Sequence, residues 1–415
     1  MRQGRGVSFI AIGALLVVGC STTHKGAAST ASPTSAITRP APPRFELLPD
    51  DSGIVGQPRA PVALEVVGDQ FVLITQPVCP SAAEAPSVLR SSDGQSWTRS
   101  DASKVAFPAR SSVAGATTAN GELLAVGILR TDDGDVPALW RTRDGETWST
   151  DRLDPAVFSP ASDGALASTQ LDSIDFVDGT YVIFGTTTLL SDASSAPRTL
   201  TMVTDAWASQ DGKTWSRARG DALAQDGGRI VSPVLGTQSG LLAFAHELES
   251  SRDAKEEAWR SQDHGLTWTI DPTISLPSFI PGSGVPTDAI RLATTTLLVG
   301  REGTLQRPAA WTSSDGRTWK QVDVGLAGTE DGVFDAVTSV GSALVAVLGD
   351  SGVPGTSTST DGGLTWAFDF LPTRLGSGSA TQIASLDGRA VIAGTTSKTS
   401  RDATCDVRLL VWTTP

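Results

Sequence analysis

Histidine, cysteine and tyrosine are all scarce in this 415-residue chain, which has three histidines, three cysteines and one tyrosine. The histidines stand apart at His24, His246 and His264, and no His-x-x-His or Cys-x-x-Cys spacing occurs. Transition-metal sites need such ligands close together, so no metal site and no cofactor is expected. The acidic stretch Asp132-Asp133-Gly134-Asp135 lacks the further pattern of a calcium loop and reads as a solvated turn. Long apolar runs are lacking too: the one from Val7 to Val18 is too short to span a membrane as a finished helix. Basic residues are outnumbered, 32 against 45 acidic ones, giving a formal charge of −13, or −15 once Arg2 and Arg5 leave with a leader. Nucleic acid and anionic lipid head groups are therefore not expected as partners.

Glycine and tryptophan are plentiful, with 42 and 11 copies. They mark a repeat. Ser91-Ser92-Asp93-Gly94-Gln95-Ser96-Trp97 recurs, with small changes, around Asp144, Asp211, Asp263, Asp315 and Asp361, at steps of 51, 67, 52, 52 and 46 residues. That is the period of a four-stranded propeller blade, slightly long. Asp-Gly between apolar runs is a hairpin signal, because glycine accepts positive φ and the carboxylate can take hydrogen bonds from its own turn. The Ser or Thr two residues earlier adds a second such contact, and the tryptophan supplies buried area.

Around the turns each unit repeats one order: a strand, a tight turn, a very apolar strand, a variable loop, a strand often bearing tryptophan, the Asp turn and an outer strand. The apolar second strands run Phe71 to Thr75, Leu123 to Gly127, Tyr181 to Gly185, Leu241 to Ala245, Thr296 to Gly300, Leu344 to Gly349 and Ala390 to Gly394. Runs of this length suit strands buried on both faces. Trp97, Trp148, Trp215, Trp268, Trp319 and Trp366 lie in the turns, and Trp140, Trp207, Trp259, Trp311 and Trp412 in the preceding strands. No tryptophan is left over for a sugar-stacking platform.

The repeat resembles the Asp box, or bacterial neuraminidase repeat, Ser-x-Asp-x-Gly-x-Thr-Trp. The copies at Asp263 and Asp361 have the full spacing, and the other four are one residue shorter. The resemblance implies a rim turn joining the third and fourth strands of a propeller blade, with the six aspartates structural. It also brings sialidases to mind as a function, in which three arginines clamp the substrate and a tyrosine is the nucleophile. Here the Arg-Ile-Pro signature is absent, Arg44-Phe45-Glu46-Leu47-Leu48-Pro49 matches poorly, and Tyr181 sits within an apolar strand. No catalytic residue is assigned.

The seventh unit stops at Pro415, after Trp412-Thr413-Thr414, where its Asp turn should begin. An open sheet edge is a liability. Phe45 to Pro49 is therefore expected to supply the missing outer strand, giving an all-β fold: a seven-bladed propeller of four-stranded antiparallel blades over residues 45–415, closed by its N-terminal strand. Cys79 and Cys405, both between the second and third strands of their units, are expected to form a disulfide across the closure.

Before the ring, residues 1–19 read as an export signal. Val17-Val18-Gly19-Cys20 resembles the bacterial lipobox, which implies diacylation of Cys20 by palmitate-like chains and an extracytoplasmic protein anchored to a bacterial membrane. Residues 20–44 are a Ser/Thr/Ala/Pro-rich tether. The expected function is that of a non-catalytic envelope lipoprotein that binds or scaffolds a protein or glycan; the alternative is a glycan-acting enzyme, either a sialidase-like exo-glycosidase or a lyase. Other Asp-box propellers resemble protein-sorting receptors and assembly factors. The candidate contacts are His246, Glu247, Glu249, Arg252, Asp253 and Lys255, in a loop on the face opposite the Asp boxes.

Overall fold

Short strands separated by glycine turns assemble, in the computed structural model, into seven four-stranded antiparallel sheets. The structure describes residues 41–78, 84–105, 107–132, 134–151, 153–158, 167–190, 200–225, 227–247, 256–278, 284–302, 307–325, 332–349, 352–373, 378–396 and 407–415. Cys20, Cys79, Cys405, Glu249, Arg252, Asp253 and Lys255 lie outside them.

Blade 1 comprises Arg59–Val67, Gln70–Pro77, Ser87–Ser91 and Thr98–Arg99, from the inner strand outward. Blades 2 to 6 repeat this order, with inner strands Ser111–Ala119, Ala167–Val177, Arg229–Thr237, Gly284–Arg291 and Val333–Val340. Blade 7 has only Gly378–Leu386, Arg389–Thr396 and Leu409–Thr413 from the C-terminal end of the chain. Its outer strand is Glu46–Leu47, paired antiparallel as Glu46↔Thr413 and Leu47↔Trp412. The ring thus closes as the truncated seventh repeat implies.

Two regions expected as loops are instead strand. Glu122–Thr131 pairs with Gly134–Thr142 up to Thr131↔Gly134, and Thr180–Leu190 pairs with Leu200–Ser209 up to Leu190↔Leu200. Their β-branched and aliphatic residues, such as Ile128, Leu129 and the run Thr186-Thr187-Thr188, extend the pairing beyond the glycine taken as the strand end.

Each of the six repeated Asp-Gly turns, called boxes below, is a hydrogen-bonded knot. Asp93 Oδ1 accepts the N–H groups of Gln95 (2.8 Å) and Ser96 (2.7 Å) and the Ser91 hydroxyl (2.9 Å), while Ser91 Oγ accepts the Gly94 N–H at 2.8 Å. The boxes at Asp144, Asp211 and Asp315 repeat this pattern. The two longer boxes take up their extra residue in the left-handed region: His264 and Gly265 have φ of 58° and 80°, and Gly362 and Gly363 have φ of 78° and 90°.

These knots also pin neighbouring blades together. A Cβ on Gly94 would fall 2.8 Å from Val391 Cγ2 and 2.9 Å from Thr413 Oγ1 of blade 7, and one on Gly145 would fall 2.7 Å from Val72 Cγ2 of blade 1. The box glycine is thus the point where one blade rests on the blade before it. The connection arriving from that earlier blade then catches the box tryptophan: Trp148 N–H donates to the Lys104 carbonyl at 2.8 Å, and Trp268 N–H to that of Arg219 at 2.8 Å. The same connections cap the third-strand tryptophans. Nε1–H of Trp207, Trp311 and Trp412 donates to the carbonyls of Val157, Pro277 and Pro372. Phe158, from the short helix Pro155–Phe158, stacks on Trp207 with ring centroids 5.0 Å apart. Trp140, Trp207, Trp259, Trp311 and Trp412 are all fully buried.

Every inner strand carries a β-bulge, which no sequence signal announced. A bulge interrupts the ladder. The carbonyl before it is taken up by the preceding blade in three cases: Val113 by Gln76 Nε2 at 2.8 Å, Val231 by Ser173 Oγ at 3.4 Å, and Phe334 by Thr287 Oγ1.

Gly94→Ala is expected to destabilise the ring by about 2–3 kcal/mol, through left-handed strain together with the clash against blade 7. Gly53→Ala has a similar φ of 78° but open space around it, and should cost only about 1 kcal/mol. Urea unfolding of both variants checks the difference.

Candidate functional site

The antiparallel order puts the loops between second and third strands, and the connections between blades, at the upper end of the ring. The repeated Asp-Gly turns occupy the lower end. At the upper end of blade 4, second strand Gly240–Glu247 and third strand Glu257–Ser261 pair as far as Ala245↔Glu257. His246 follows Ala245 and Glu256 precedes Glu257, so the two ends of the charged loop singled out in the sequence stand side by side.

Alternation divides these residues between two faces. Glu247 and Glu257 face blade 3 and are absorbed by structure. Arg229 Nη2 donates to Gln225 Oε1 at 2.8 Å and lies 3.6 Å from Glu247 Oε1, and its Nε lies 3.9 Å from Glu257 Oε2. Glu257 Oε2 also accepts Gln225 Nε2 at 3.1 Å and Trp259 Nε1 at 3.2 Å. Glu247 is therefore a member of an ion-pair network as it stands.

His246 and Glu256 face blade 5 and differ in kind. Glu256 Oε1 is buried without a hydrogen-bond partner, and Oε2 lies 3.4 Å from where a Cβ on Gly284 of blade 5 would stand. Burial pushes the Glu256 carboxyl up to about 8, so it is protonated at neutral pH. Burial, and then the charge of Arg301 on blade 5, lowers His246 to about 4, so its imidazole is neutral. Ile230 pairs with His246 across the inner strand and keeps 43% of its surface exposed. The upper crevice between blades 4 and 5 thus offers a neutral acid, a neutral imidazole and an apolar side chain, with an arginine close by. Such a row can hydrogen-bond and pack against a ligand. Its residue types were legible in sequence at His246; the partnerless state of Glu256 Oε1 was not, because it depends on Gly284 of the next blade standing beside the carboxyl.

Other hollows lie away from this crevice. A cleft of about 560 Å³ between blades 2 and 3 is lined by Arg141, Asp151, Phe158, Lys213 and Trp215. Its arginine is already saturated: Arg141 holds Asp151 through Nε at 2.9 Å, Glu122 Oε2 through Nη1 at 2.7 Å and the Gly212 carbonyl through Nη2 at 2.8 Å. This cleft is built for blade-to-blade adhesion. Two further hollows, of about 480 and 300 Å³, are lined by box residues including Asp211, His264 and Asp315.

The one tyrosine, the residue type a sialidase uses as its nucleophile, is packed inside a blade. Tyr181 is 2% exposed, rests against Phe176 with ring centroids 4.5 Å apart, and lies within 3.2 Å of where a Cβ on Gly212 would stand. It is a packing residue of blade 3. The six box aspartates point into their own turns. The Ser96 N–H foremost, opposed by burial and reinforced by the Gln95 N–H and the Ser91 hydroxyl, holds Asp93 down at about 2. Among the described residues no group of three His, Cys, Asp or Glu side chains is arranged to hold a metal ion.

Arg141→Ala is expected to cost about 2–3 kcal/mol of stability, since it removes the buried guanidinium that joins Glu122, Asp151 and the Gly212 carbonyl and leaves Glu122 only the exposed Arg143. Glu256→Gln, which keeps the shape of a group already neutral, should leave stability at pH 7 unchanged within about 0.5 kcal/mol. Denaturant unfolding at pH 7 measures both.

Among solved structures the chain is similar to YCF48 bound to D1 peptide, at 14% identity and a TM-score of 0.50, covering 89% of this chain and 96% of that one. It is also similar to the beta-propeller domain of the trilobed protease from Pyrococcus furiosus, at 9% identity and a TM-score of 0.45, covering 86% and 94%. A Penicillium chrysogenum alpha-L-arabinanase follows at 13% identity and a TM-score of 0.39, covering 89% and 97%. At such identities the likeness concerns the fold alone. No curated protein sequence matches the chain. The family model of the DUF6242 beta propeller domain, however, matches residues 87–294, half of the chain. The chain belongs to the DUF6242 beta propeller domain family.

Proposed function

We propose that this propeller is a non-catalytic binding or scaffolding protein of the bacterial cell envelope, lipid-anchored through Cys20, that seats a segment of a partner protein in the upper crevice between blades 4 and 5. One observation carries the reading: Glu256 Oε1 is buried without a hydrogen-bond partner among the described residues, on an uncharged carboxyl beside the neutral, half-buried His246 and the exposed Ile230. A buried polar atom left unpaired is costly, and a ligand that supplies its partner recovers that cost. A peptide offers both the N–H and C=O groups these side chains need and apolar groups for Ile230. A glycan fits less well, because the tryptophans that would stack on a sugar are used in boxes and third strands. YCF48, a protein of the same fold, has been solved with a peptide bound.

The anchor and tether belong to the same reading. Two acyl chains on Cys20 hold a protein stably at a membrane, as one chain does not. The proposed Cys79–Cys405 bond would lock the ring near its closure. In its support, the Val78 N–H donates to the Pro58 carbonyl at 3.3 Å and the Leu409 N–H to the Gln57 carbonyl at 2.9 Å, so the segments leading to both cysteines converge on one dipeptide.

Affinity capture from the native envelope tests the binding reading. The wild-type chain is expected to retain a partner that the His246→Ala/Glu256→Ala double variant, folded to the same melting temperature, releases at least tenfold more readily. Capture that the double variant leaves unchanged would remove the crevice from the account, and clear turnover of a fluorogenic sialoside would overturn the non-catalytic reading. Alkylation without reductant is expected to leave Cys79 and Cys405 unlabelled; labelling of both contradicts the bond.

A further inference from the structure

Apart from the upper crevice, three carboxylates line the centre of the ring: Glu65 on blade 1, Asp175 on blade 3 and Asp288 on blade 5. They come from alternate blades. Their partners across the ladder are Val72, Val182 and Val299, residues packed toward the following blade. Asp288 makes that lean explicit, because its Oδ2 accepts the Val337 N–H of blade 6 at 2.8 Å while Oδ1 accepts the Ala289 N–H at 2.7 Å. Glu65 lies beside Thr118 of blade 2, whose hydroxyl oxygen is buried next to the carboxyl.

Among the described residues no cation is paired with these acids. On the inner strands Arg59 is held by the Ala85 carbonyl, Arg229 by Gln225 and Glu247, and Arg291 by Asp178, all at strand ends. Asp172 is bonded to Thr186 and Gln170, and Asp335 lies against Gly349. The inner strands of blades 2 and 7 contribute no titratable side chain.

We propose that Glu65, Asp175 and Asp288 form a proton-holding device at the centre of the ring, which draws the blades together when protonated and loosens them when its protons leave. The electrostatics agree. Burial first, then the charges of Asp288 and Asp175 against the relief offered by Thr118, raises Glu65 to about 7. Burial and Asp288 raise Asp175 to about 7, and burial raises Asp288 to about 6 against the two N–H groups it accepts. These values exceed the unfolded ones near 4, so the folded chain binds more protons between them. Stability is therefore fully present below about pH 4 and is lost as pH rises through about 7. Glu256 acts in the same direction, and His246, lowered on folding, acts in the opposite direction below about pH 6.5.

Melting temperatures of the folded chain and of Asp175→Asn, each at pH 5 and pH 8, test the device. The wild type is expected to melt about 5 °C lower at pH 8 than at pH 5, and the variant to lose about a third of that difference. Glu256 and His246 contribute equally to both proteins, so the change in slope belongs to the channel. Equal pH dependence in the two proteins, or a wild type no less stable at pH 8, overturns the proposal. Glu65→Gln serves the same comparison should Asp175→Asn not fold.

Discussion

The structure depends on one carboxylate oxygen accepting two adjacent backbone N–H groups. That interaction, made at Asp93, Asp144, Asp211, Asp315 and Asp361, with one N–H from Thr267 at Asp263, fixes a turn in which a glycine adopts positive φ and packs against the previous blade. A blade cannot bury its own two faces. The box supplies what a lone sheet lacks, a defined seat on its neighbour, and the connection arriving from that neighbour locks the box tryptophan in place. The hydrophobic clusters follow suit: one joins blades 1 and 2, another blades 3 and 4, another blades 5 and 6.

Acidic side chains divide by position. At the rim they are satisfied by backbone N–H groups and held low, Asp93 and Asp315 at about 2. In the channel and the upper crevice they are desolvated and raised, Asp175 to about 7 and Glu256 to about 8. The same residue type is a fastener at one radius and a titrating group at another. What differs is desolvation, which raises Asp288 even though it, like Asp93, accepts two backbone N–H groups. The excess negative charge in the sequence thus conceals two populations with opposite responses to pH.

Much of the fold was legible because its determinants are local. Asp, Gly and Trp within seven residues specify the box, and the missing box after Trp412 specifies the closure by Glu46–Leu47. The bulges were not legible, since residues such as Val113, Ala114 and Gly115 carry no distinguishing pattern and the bulge arises from fitting seven inner strands around a channel. Glu65, Asp175 and Asp288 escaped for a related reason. They lie more than a hundred residues apart in the chain, and only the ring makes them neighbours. In the loop after Ala245, composition pointed to charge, yet alternation decided the outcome: Glu247 and Glu257 were taken into the Arg229 network, and His246 and Glu256 were left facing blade 5.

The central claim is that seven box-fastened blades form a ring closed by the first strand of the folded region. Native-state hydrogen exchange measures it at the Leu48 and Leu409 amides, bonded to the carbonyls of Val411 and Gln57 at 2.9 Å each. If closure is integral to the ring, these amides exchange only as slowly as global unfolding permits, matching the buried second-strand amides of Val391 and Ile392. Exchange at the rate of an exposed terminus, with the second strands still protected, would contradict the account.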